Sequence, residues 1–309
     1  MLFTQARMSS AMTFSEVRIP DLRGKVALVT GSSLGIGAAV AKAFGAQGMR
    51  VVVHYNRSQE AAREVASAIE QHGGEAMLVS ADVRDTAAIA RCVAEVLERF
   101  GHIDVLVNNA GSLVQRALLE EQSDALFDEI MHTNARSALT FTRTVAQHMR
   151  DQKRSGCIIN VTSMAARNGG GPGSSLYAGS KGFLGTVTRA LARELVQDRI
   201  RVNAVAPGVI NTPLQDQFST PAMLENFKLG IPMGRLGLAD DCAGAVCDAG
   251  LRADWRDSLG GVRRLRLGLA GLTHRRRHAA RDHQCRRRFA WRQGRTLQAL
   301  AGRSHPPVQ

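Results

Sequence analysis

From Lys25 onward, short apolar runs alternate with longer segments whose apolar residues recur at helical spacing. The short runs are β-branched and apolar throughout, which is typical of strands buried on both faces. Six strands are predicted, at Val26–Thr30, Arg50–Tyr55, Ala76–Ser80, Val105–Asn108, Cys157–Thr162 and Val202–Ala206. Helices are predicted at Ile36–Gln47, Gln59–Gln71, Thr86–Phe100, Ser123–Arg150 and Leu176–Gln197. Strands that alternate with helices form right-handed β-α-β units, so we expect an α/β fold with a doubly wound parallel sheet.

Charge divides the chain into parts. The 309 residues carry a net charge of +13, but residues 251–309 hold 15 Arg, no Lys and only three Asp. The remaining residues are therefore nearly neutral, as in an ordinary globular domain. We expect a leader at residues 1–23, one domain at 24–247 and an Arg-rich, disordered or irregular tail at 248–309.

Several classes of protein are excluded by composition. No run approaches the ~20 apolar residues that cross a bilayer, and Met1–Pro20 lacks the apolar core of a secretory signal. Five cysteines without a C-x-x-C pair indicate reduced thiols in a cytoplasmic protein. Cys242 and Cys247 are expected to be buried structural thiols.

The histidines do not indicate a metal site, because the nine His residues show no ligand spacing. His54, His72 and His102 lie near ends of predicted elements, and we expect them in solvent.

A glycine-rich turn follows the first strand, where residues 30–37 read Thr-Gly-Ser-Ser-Leu-Gly-Ile-Gly. Glycines there permit a tight turn, a close approach of the backbone to a pyrophosphate, and close packing of helix on strand. The N-terminus of the next helix offers free N–H groups and a partial positive charge to an anion. The residues that we assign to this nucleotide-binding turn are Gly31, Ser33, Gly35, Ile36 and Gly37.

Further motifs follow in a fixed order. Asn108-Asn109-Ala110-Gly111 follows the fourth strand, Asn134 lies in the long helix, Ser163 follows the fifth strand, Tyr177 and Lys181 form Y-x-x-x-K, and Pro207-Gly208 closes the sixth strand. With the glycine turn, this order resembles the short-chain dehydrogenase/reductase family over residues 24–247, in its 3-oxoacyl-acyl-carrier-protein reductase-like branch. The resemblance implies a Rossmann-like fold, an NAD(P)(H)-dependent oxidoreductase and a homo-oligomer, although the unusual tail puts the subunit interface in question.

Tyr177 and Lys181 are four residues apart, so they share one face of a helix. We expect the ammonium to lower the phenol pKa from its ordinary value of ~10, so that Tyr177 exchanges a proton with a substrate oxygen. Ser163 would be the second hydrogen-bond donor to that oxygen. The resemblance implies further that Lys181 holds the nicotinamide ribose and that Asn134 supports a proton-relay water.

The substrate is expected to be a small carbonyl compound or secondary alcohol. Its pocket should be lined from Met164–Ser175 and Ile210–Met233.

The end of the second strand bears on the choice of cofactor. No carboxylate occurs between Val53 and Gln59 that could repel a 2′-phosphate, and Arg57 could bind one, so NADP(H) is favoured over NAD(H). The resemblance places Asp82 and Val83 against the adenine, and it assigns Asn109, Ala110, Gly111, Tyr177, Lys181, Pro207 and Gly208 to the rest of the cofactor site. Asp104 is expected to brace the fourth strand.

The tail departs from the resemblance, because the family's last strand, near V-D-G-G, is missing. Residues 282–290 can be encoded so that the next reading frame gives Thr-Ile-Asn-Val-Asp-Gly-Gly-Ser. We therefore hypothesise a frameshift after about Val246. Two alternatives stay open: a catalytically impaired family member, and a binder of nucleic acid or acidic surfaces through its arginines. No basic periodicity or nucleic-acid module accompanies these arginines, so the enzyme is the leading interpretation.

Replacing Arg57 with alanine tests the choice of cofactor. We expect Arg57→Ala to raise the KM for NADPH far more than that for NADH, because only NADPH carries the 2′-phosphate. Steady-state kinetics with both cofactors measures this, and equal small changes would contradict the assignment.

Overall fold

Six parallel strands form one sheet in the computed structural model of the protein, which describes residues 22–251. The strands are β1 (Val26–Val29), β2 (Arg50–Tyr55), β3 (Glu75–Ser80), β4 (Val105–Asn108), β5 (Gly156–Val161) and β6 (Ile200–Val205). Their order in the sheet is β3-β2-β1-β4-β5-β6. The predicted parallel α/β fold is confirmed. Nearly all of the expected leader (1–23) and tail (248–309) lies outside the described residues. The hypotheses of a frameshift and of binding to nucleic acid or acidic surfaces through the tail arginines lie outside them too.

Helices cover both faces of the sheet. They are α1 (Gly35–Ala46), α2 (Gln59–Gln71), α3 (Thr86–Phe100), α4 (Asp124–Met131), α5 (Ser137–Asp151), α6 (Ala165–Asn168), α7 (Ser175–Glu194), α8 (Pro213–Phe218), α9 (Pro221–Leu229) and α10 (Ala239–Leu251). Within the described range, no helix is both long and apolar enough to cross a membrane.

Two apolar cores result from the alternation of side chains along each strand. Ala27 and Val29 of β1 point into a core shared with α1, α2 and α10. Val26 and Leu28 point into a second core shared with α3 and α5. Since both faces of the strands are covered, the strands are apolar throughout, which is the pattern that made them recognisable.

The long helix predicted at Ser123–Arg150 is interrupted. Ser123 caps α4 by accepting the N–H of Leu126, at 3.2 Å, and α4 passes through a wide π-helical turn at His132–Arg136 before α5 begins. Such a turn inserts one extra residue, which apolar periodicity does not reveal. Its effect is to place Asn134 in a fully buried position.

The last described helix, α10, runs from Ala239 to Leu251 and packs on α1. It continues past residue 247, where the domain was expected to end and the tail to begin. The position of that boundary stays a prediction. Cys242 and Cys247 on α10 are buried as expected, and burial raises the pKa of both thiols.

Asp104 ties β1 to the loop before β4, as expected. Its Oδ2 accepts the Val26 N–H at 2.8 Å, and its own N–H donates to the Val26 carbonyl at 2.9 Å. Arg154 forms an ion pair with the same carboxylate, and the His102 Nε2 lies 3.2 Å from it. Asp104 therefore has a structural role at the amino end of the sheet, away from the carboxyl ends of the strands.

Replacing Asp104 with alanine should lower the free energy of unfolding by about 1–3 kcal/mol, because the buried Val26 N–H would lose its acceptor. Urea denaturation measures the effect. Asp104→Asn is the matched control, since it keeps an acceptor oxygen and should destabilise the protein less. Equal stabilities of wild type and Asp104→Ala would show that the contact is dispensable.

Candidate active site

A cavity of about 310 Å³ opens at the carboxyl ends of the central strands. Its walls include Asn109 after β4, Ser163 after β5, Pro207 and Gly208 after β6, and Ile36 at the start of α1. In the sheet, β2 lies on one side of β1 and β4 lies on the other, so the direction in which strands are added reverses at β1. Ligands of doubly wound sheets bind at this kind of reversal, so the cavity lies where the fold class predicts a site.

The glycine turn is held against the loop that follows β4. The Asn109 side-chain Nδ2 donates to the carbonyls of Thr30 and Gly31, both at 2.9 Å. Thr30 Oγ1 accepts the backbone N–H groups of Asn109 and Ala110, both at 3.0 Å. A Cβ at Gly37 would collide with the Gly31 carbonyl and with Asn109 Nδ2, so this packing requires glycine there.

The N-terminus of α1 is left without a side-chain cap. Leu34 occupies the N-cap position and cannot accept a hydrogen bond through its side chain. The first N–H groups of a helix have no partner within the helix, and together with the helix dipole they suit an anion. The turn therefore has the chemistry of a phosphate site.

His54, at the end of β2, also supports the glycine turn, and the expectation that it is solvated was wrong. It is 1% exposed, and its Nδ1 accepts the Gly31 N–H at 3.0 Å. Burial lowers the pKa of its imidazole to about 4. Nδ1 accepts, so the ring proton is on Nε2, which lacks a hydrogen-bond partner among the described residues. No motif signals this role, which depends on a residue 23 positions away in the chain.

Tyr177, Lys181 and Ser163 are brought together on the cavity wall. Tyr177 and Lys181 lie on one face of α7, with the Lys181 Nζ 5.9 Å from the centroid of the Tyr177 ring. Lys181 is 4% exposed, and its Nζ donates to the Val161 carbonyl at 2.9 Å. The placement of the two side chains on one helix face is confirmed.

The expected effect of Lys181 on Tyr177 was wrong. Burial raises the pKa of the Tyr177 phenol above its ordinary value, and hydrogen bonding with the Ser163 side chain only partly opposes this. Burial also lowers the pKa of the Lys181 ammonium to about 8. Spacing along a helix shows that two groups are neighbours, but it does not show that both lose their water. Here desolvation by burial is the largest cause of both shifts in pKa.

Asn134 reaches the same region from the π-helical turn. Its Oδ1 accepts the Ser112 N–H at 2.9 Å, and its Nδ2 donates to the Ser112 carbonyl at 2.8 Å. The position of a Cβ at Gly111 would be 2.6 Å from this Oδ1 and 3.0 Å from the Lys181 Nζ. Only glycine leaves room there, so Gly111 allows Asn134 and Lys181 to approach the same space.

The residues assigned to the adenine end lie apart from the cavity. Arg57 is exposed in the turn after β2. Asp82 binds Arg84 through its carboxylate, at 2.7 Å, and this hydrogen bonding with Arg84 lowers its pKa to about 2. Arg57, Asp82 and Val83 do not line the cavity in the described part of the chain.

The two segments expected to form the substrate pocket do line the cavity. Met164, Asn168 and Ser174 come from the first segment, and Leu214 and Phe227 come from the second. Arg116, which no motif in the sequence marks, lines it as well. Within residues 22–251 there is no group of three or more His, Cys, Asp or Glu that could hold a metal ion.

The family model described as short chain dehydrogenase matches residues 25–222. A 3beta-hydroxysteroid dehydrogenase of Eggerthella lenta is 39% identical over 231 residues, which are 73% of this chain and 86% of that protein.

Solved structures show the same likeness. A 3-ketoacyl-(acyl-carrier-protein) reductase from Brucella melitensis, complexed with NADH, is 35% identical with a TM-score of 0.68, over 74% of this chain and 91% of that one. A short chain dehydrogenase from Burkholderia cenocepacia, in complex with NADP, is 35% identical with a TM-score of 0.69, over the same shares of the two chains.

Replacing Lys181 with methionine should stabilise the protein without ligand. The lowered pKa of about 8, against an ordinary 10.5, corresponds to about 3 kcal/mol of unfavourable burial of the charge. We therefore expect Lys181→Met to raise the free energy of unfolding by about 1–3 kcal/mol near pH 7.

The pH dependence is the control for this prediction. Between pH 8 and 10.5 the unfolded chain keeps the Lys181 proton that the folded chain has released, so the wild type gains stability as the pH rises. The advantage of Lys181→Met in urea denaturation should therefore narrow across this range. A variant that is less stable than wild type near pH 7 would contradict the prediction.

Proposed function

Because the chain belongs to the short-chain dehydrogenase family and is an oxidoreductase, we propose that it transfers a hydride between NADP(H) and a small carbonyl compound or secondary alcohol. One observation carries this proposal: Ser163, Tyr177 and Lys181 lie on a single cavity wall at the carboxyl ends of the strands. A hydroxyl, a phenol and an ammonium beside one cavity form a proton-donating site for a carbonyl oxygen. The free, buried cysteines among the described residues support the cytoplasmic setting that we propose.

The residues present fit a nicotinamide dinucleotide. The uncapped N-terminus of α1 suits the pyrophosphate, and the buried Lys181 ammonium suits ribose hydroxyls. When bound, the cofactor supplies or accepts the hydride at its nicotinamide ring. The residues that would hold it around the cavity are Gly31, Ser33, Gly35, Ile36, Gly37, Asn109, Ala110, Gly111, Tyr177, Lys181, Pro207 and Gly208.

The proposed preference for NADP(H) rests on the turn after β2. Arg57 is exposed there, free to reach a 2′-phosphate, and no carboxylate lies in the turn itself. Asp82 and Val83 would flank the adenine. NAD(H) is the alternative. One of the similar structures is complexed with NADH and the other with NADP, so together they favour neither cofactor.

Tyr177 is the proposed proton donor. The buried phenol, with its raised pKa, is fully protonated near neutral pH, which is the form that reduction of a carbonyl needs. As a hydride bonds to the carbonyl carbon, the Tyr177 O–H bond breaks and a new O–H bond forms on the product oxygen. The Ser163 hydroxyl orients the same oxygen by hydrogen bonding.

Lys181 and Asn134 are the proposed route by which Tyr177 regains its proton. A pKa of about 8 leaves the Lys181 Nζ able to release and to recover a proton near neutral pH. The Asn134 Oδ1 accepts one hydrogen bond from Ser112 and keeps a second lone pair for a water beside that Nζ. Proton transfer from the Lys181 Nζ to the Tyr177 oxygen then restores the Tyr177 O–H bond.

Replacing Tyr177 with phenylalanine should preserve cofactor binding and lower kcat by roughly 10²–10⁴, because only the proton donor is lost. Titration of NADPH fluorescence measures binding, and the change in NADPH absorbance with a panel of carbonyl compounds measures turnover. Phe183→Tyr is a useful control, since it changes the same chemical group at an exposed position of α7. Turnover by Tyr177→Phe at the wild-type rate would refute the proposed role.

A further inference from the structure

Arg116 places a second positive charge on the cavity wall, in the loop between β4 and α4. Its Nε donates to the Phe218 carbonyl at 2.6 Å, and its Nη1 donates to the Pro172 carbonyl at 2.9 Å. Phe218 ends α8, and Pro172 lies in the glycine-rich loop before α7. The guanidinium is thus fixed between two segments that both line the cavity.

Among residues 22–251, no carboxylate pairs with this charge. Carbonyl oxygens accept its hydrogens but carry no net charge, and Arg116 forms no ion pair with any described residue. No aspartate or glutamate lines the cavity in the described part of the chain, and the other charged residue on its wall is Lys181. The cavity therefore combines two cations with neutral and apolar side chains.

Such an arrangement suits an anionic ligand. Two of the five guanidinium N–H groups bind carbonyls, so three have no protein partner within residues 22–251. Burial lowers the pKa of the guanidinium from its ordinary value, which reflects partial loss of water, yet the group stays charged. A partly desolvated cation that is already held in place binds an oxyanion with little further loss of side-chain entropy.

We propose that Arg116 binds a carboxylate of the substrate, so that this enzyme acts on keto acids or the corresponding hydroxy acids. The inference rests on the proposed function and deepens it, because Ser163 and Tyr177 would bind the carbonyl end while Arg116 binds the acid end. Leu113, Met164 and Phe218 give the cavity an apolar lining that suits a short aliphatic chain between the two ends.

A pair of substrates that differ only in charge tests the proposal. Levulinate and acetoacetate are compared with their methyl esters, which keep the ketone and remove the negative charge. For the wild type, we expect kcat/KM for at least one keto acid to exceed that for its ester by about tenfold or more, the size expected of a charge-assisted hydrogen bond. A preference for the esters, or none, would overturn the proposal.

Variants separate charge recognition from the role of Arg116 in holding the two segments. In Arg116→Gln the ratio of keto acid to ester should fall to about one, whereas Arg116→Lys, which keeps the charge, should retain part of it. Arg167→Gln is the matched control: it removes the same charge from an exposed position of the neighbouring α6, outside the cavity, and should keep the wild-type ratio. Equal losses for acid and ester in Arg116→Gln would mean that the residue acts only as a structural tie.

Binding measured without turnover distinguishes failure of this inference from failure of the proposed function. Calorimetry with hexanoate, hexanamide and inorganic phosphate is done with saturating NADP⁺, so that the phosphate-binding glycine turn is already filled. It should show binding of hexanoate alone to wild type and its loss in Arg116→Gln. Hexanoate binding with no carbonyl reduced would keep the anion site and reject the reductase. Carbonyl reduction with no preference for acids and no hexanoate binding would keep the reductase and reject the anion site. Tighter binding of phosphate than of hexanoate would reject a carboxylate as the preferred anion.

Discussion

The buried ammonium of Lys181 is the constraint around which the site is arranged. Its Nζ binds the carbonyl of Val161, the last residue of β5, and thereby fixes α7 to the carboxyl end of the central sheet. Two turns further along α7, Thr188 accepts a hydrogen bond from Asn160 of the same strand, at 2.9 Å. The two bonds set both the height and the rotation of α7 on β5, and Tyr177, one turn before Lys181, is positioned as a consequence.

This arrangement has a cost in stability. Removing an ammonium from water is unfavourable, and one carbonyl oxygen offsets only part of the loss. Tyr177 is buried beside it, and burial raises the pKa of its phenol. The apolar cores on both faces of the sheet must therefore carry the stability of the domain, while the residues at the carboxyl ends are arranged for chemistry.

Much of this arrangement could be predicted from the sequence because its signals are local. The glycine turn, the paired asparagines after β4 and the four-residue spacing of Tyr177 and Lys181 each lie within a few positions, and the apolar strands place them at one edge. The roles of His54 and Arg116 could not be predicted, since their partners are 23 to 102 residues distant. The direction of the Tyr177 pKa depends on burial in three dimensions, and the π-helical turn around Asn134 depends on one inserted residue that periodicity conceals.

The neutral imidazole under the glycine turn has a consequence for the protein in acid. His54 keeps an ordinary pKa of 6.5 once the chain unfolds, but about 4 while it is folded. Between pH 4 and 6.5 the His54 ring is protonated in the unfolded chain but not in the folded chain. Each drop of one pH unit in this range therefore lowers the free energy of unfolding by up to about 1.4 kcal/mol. A single ring that ties the second strand to the first turn thus gives this enzyme a built-in sensitivity to mild acidity.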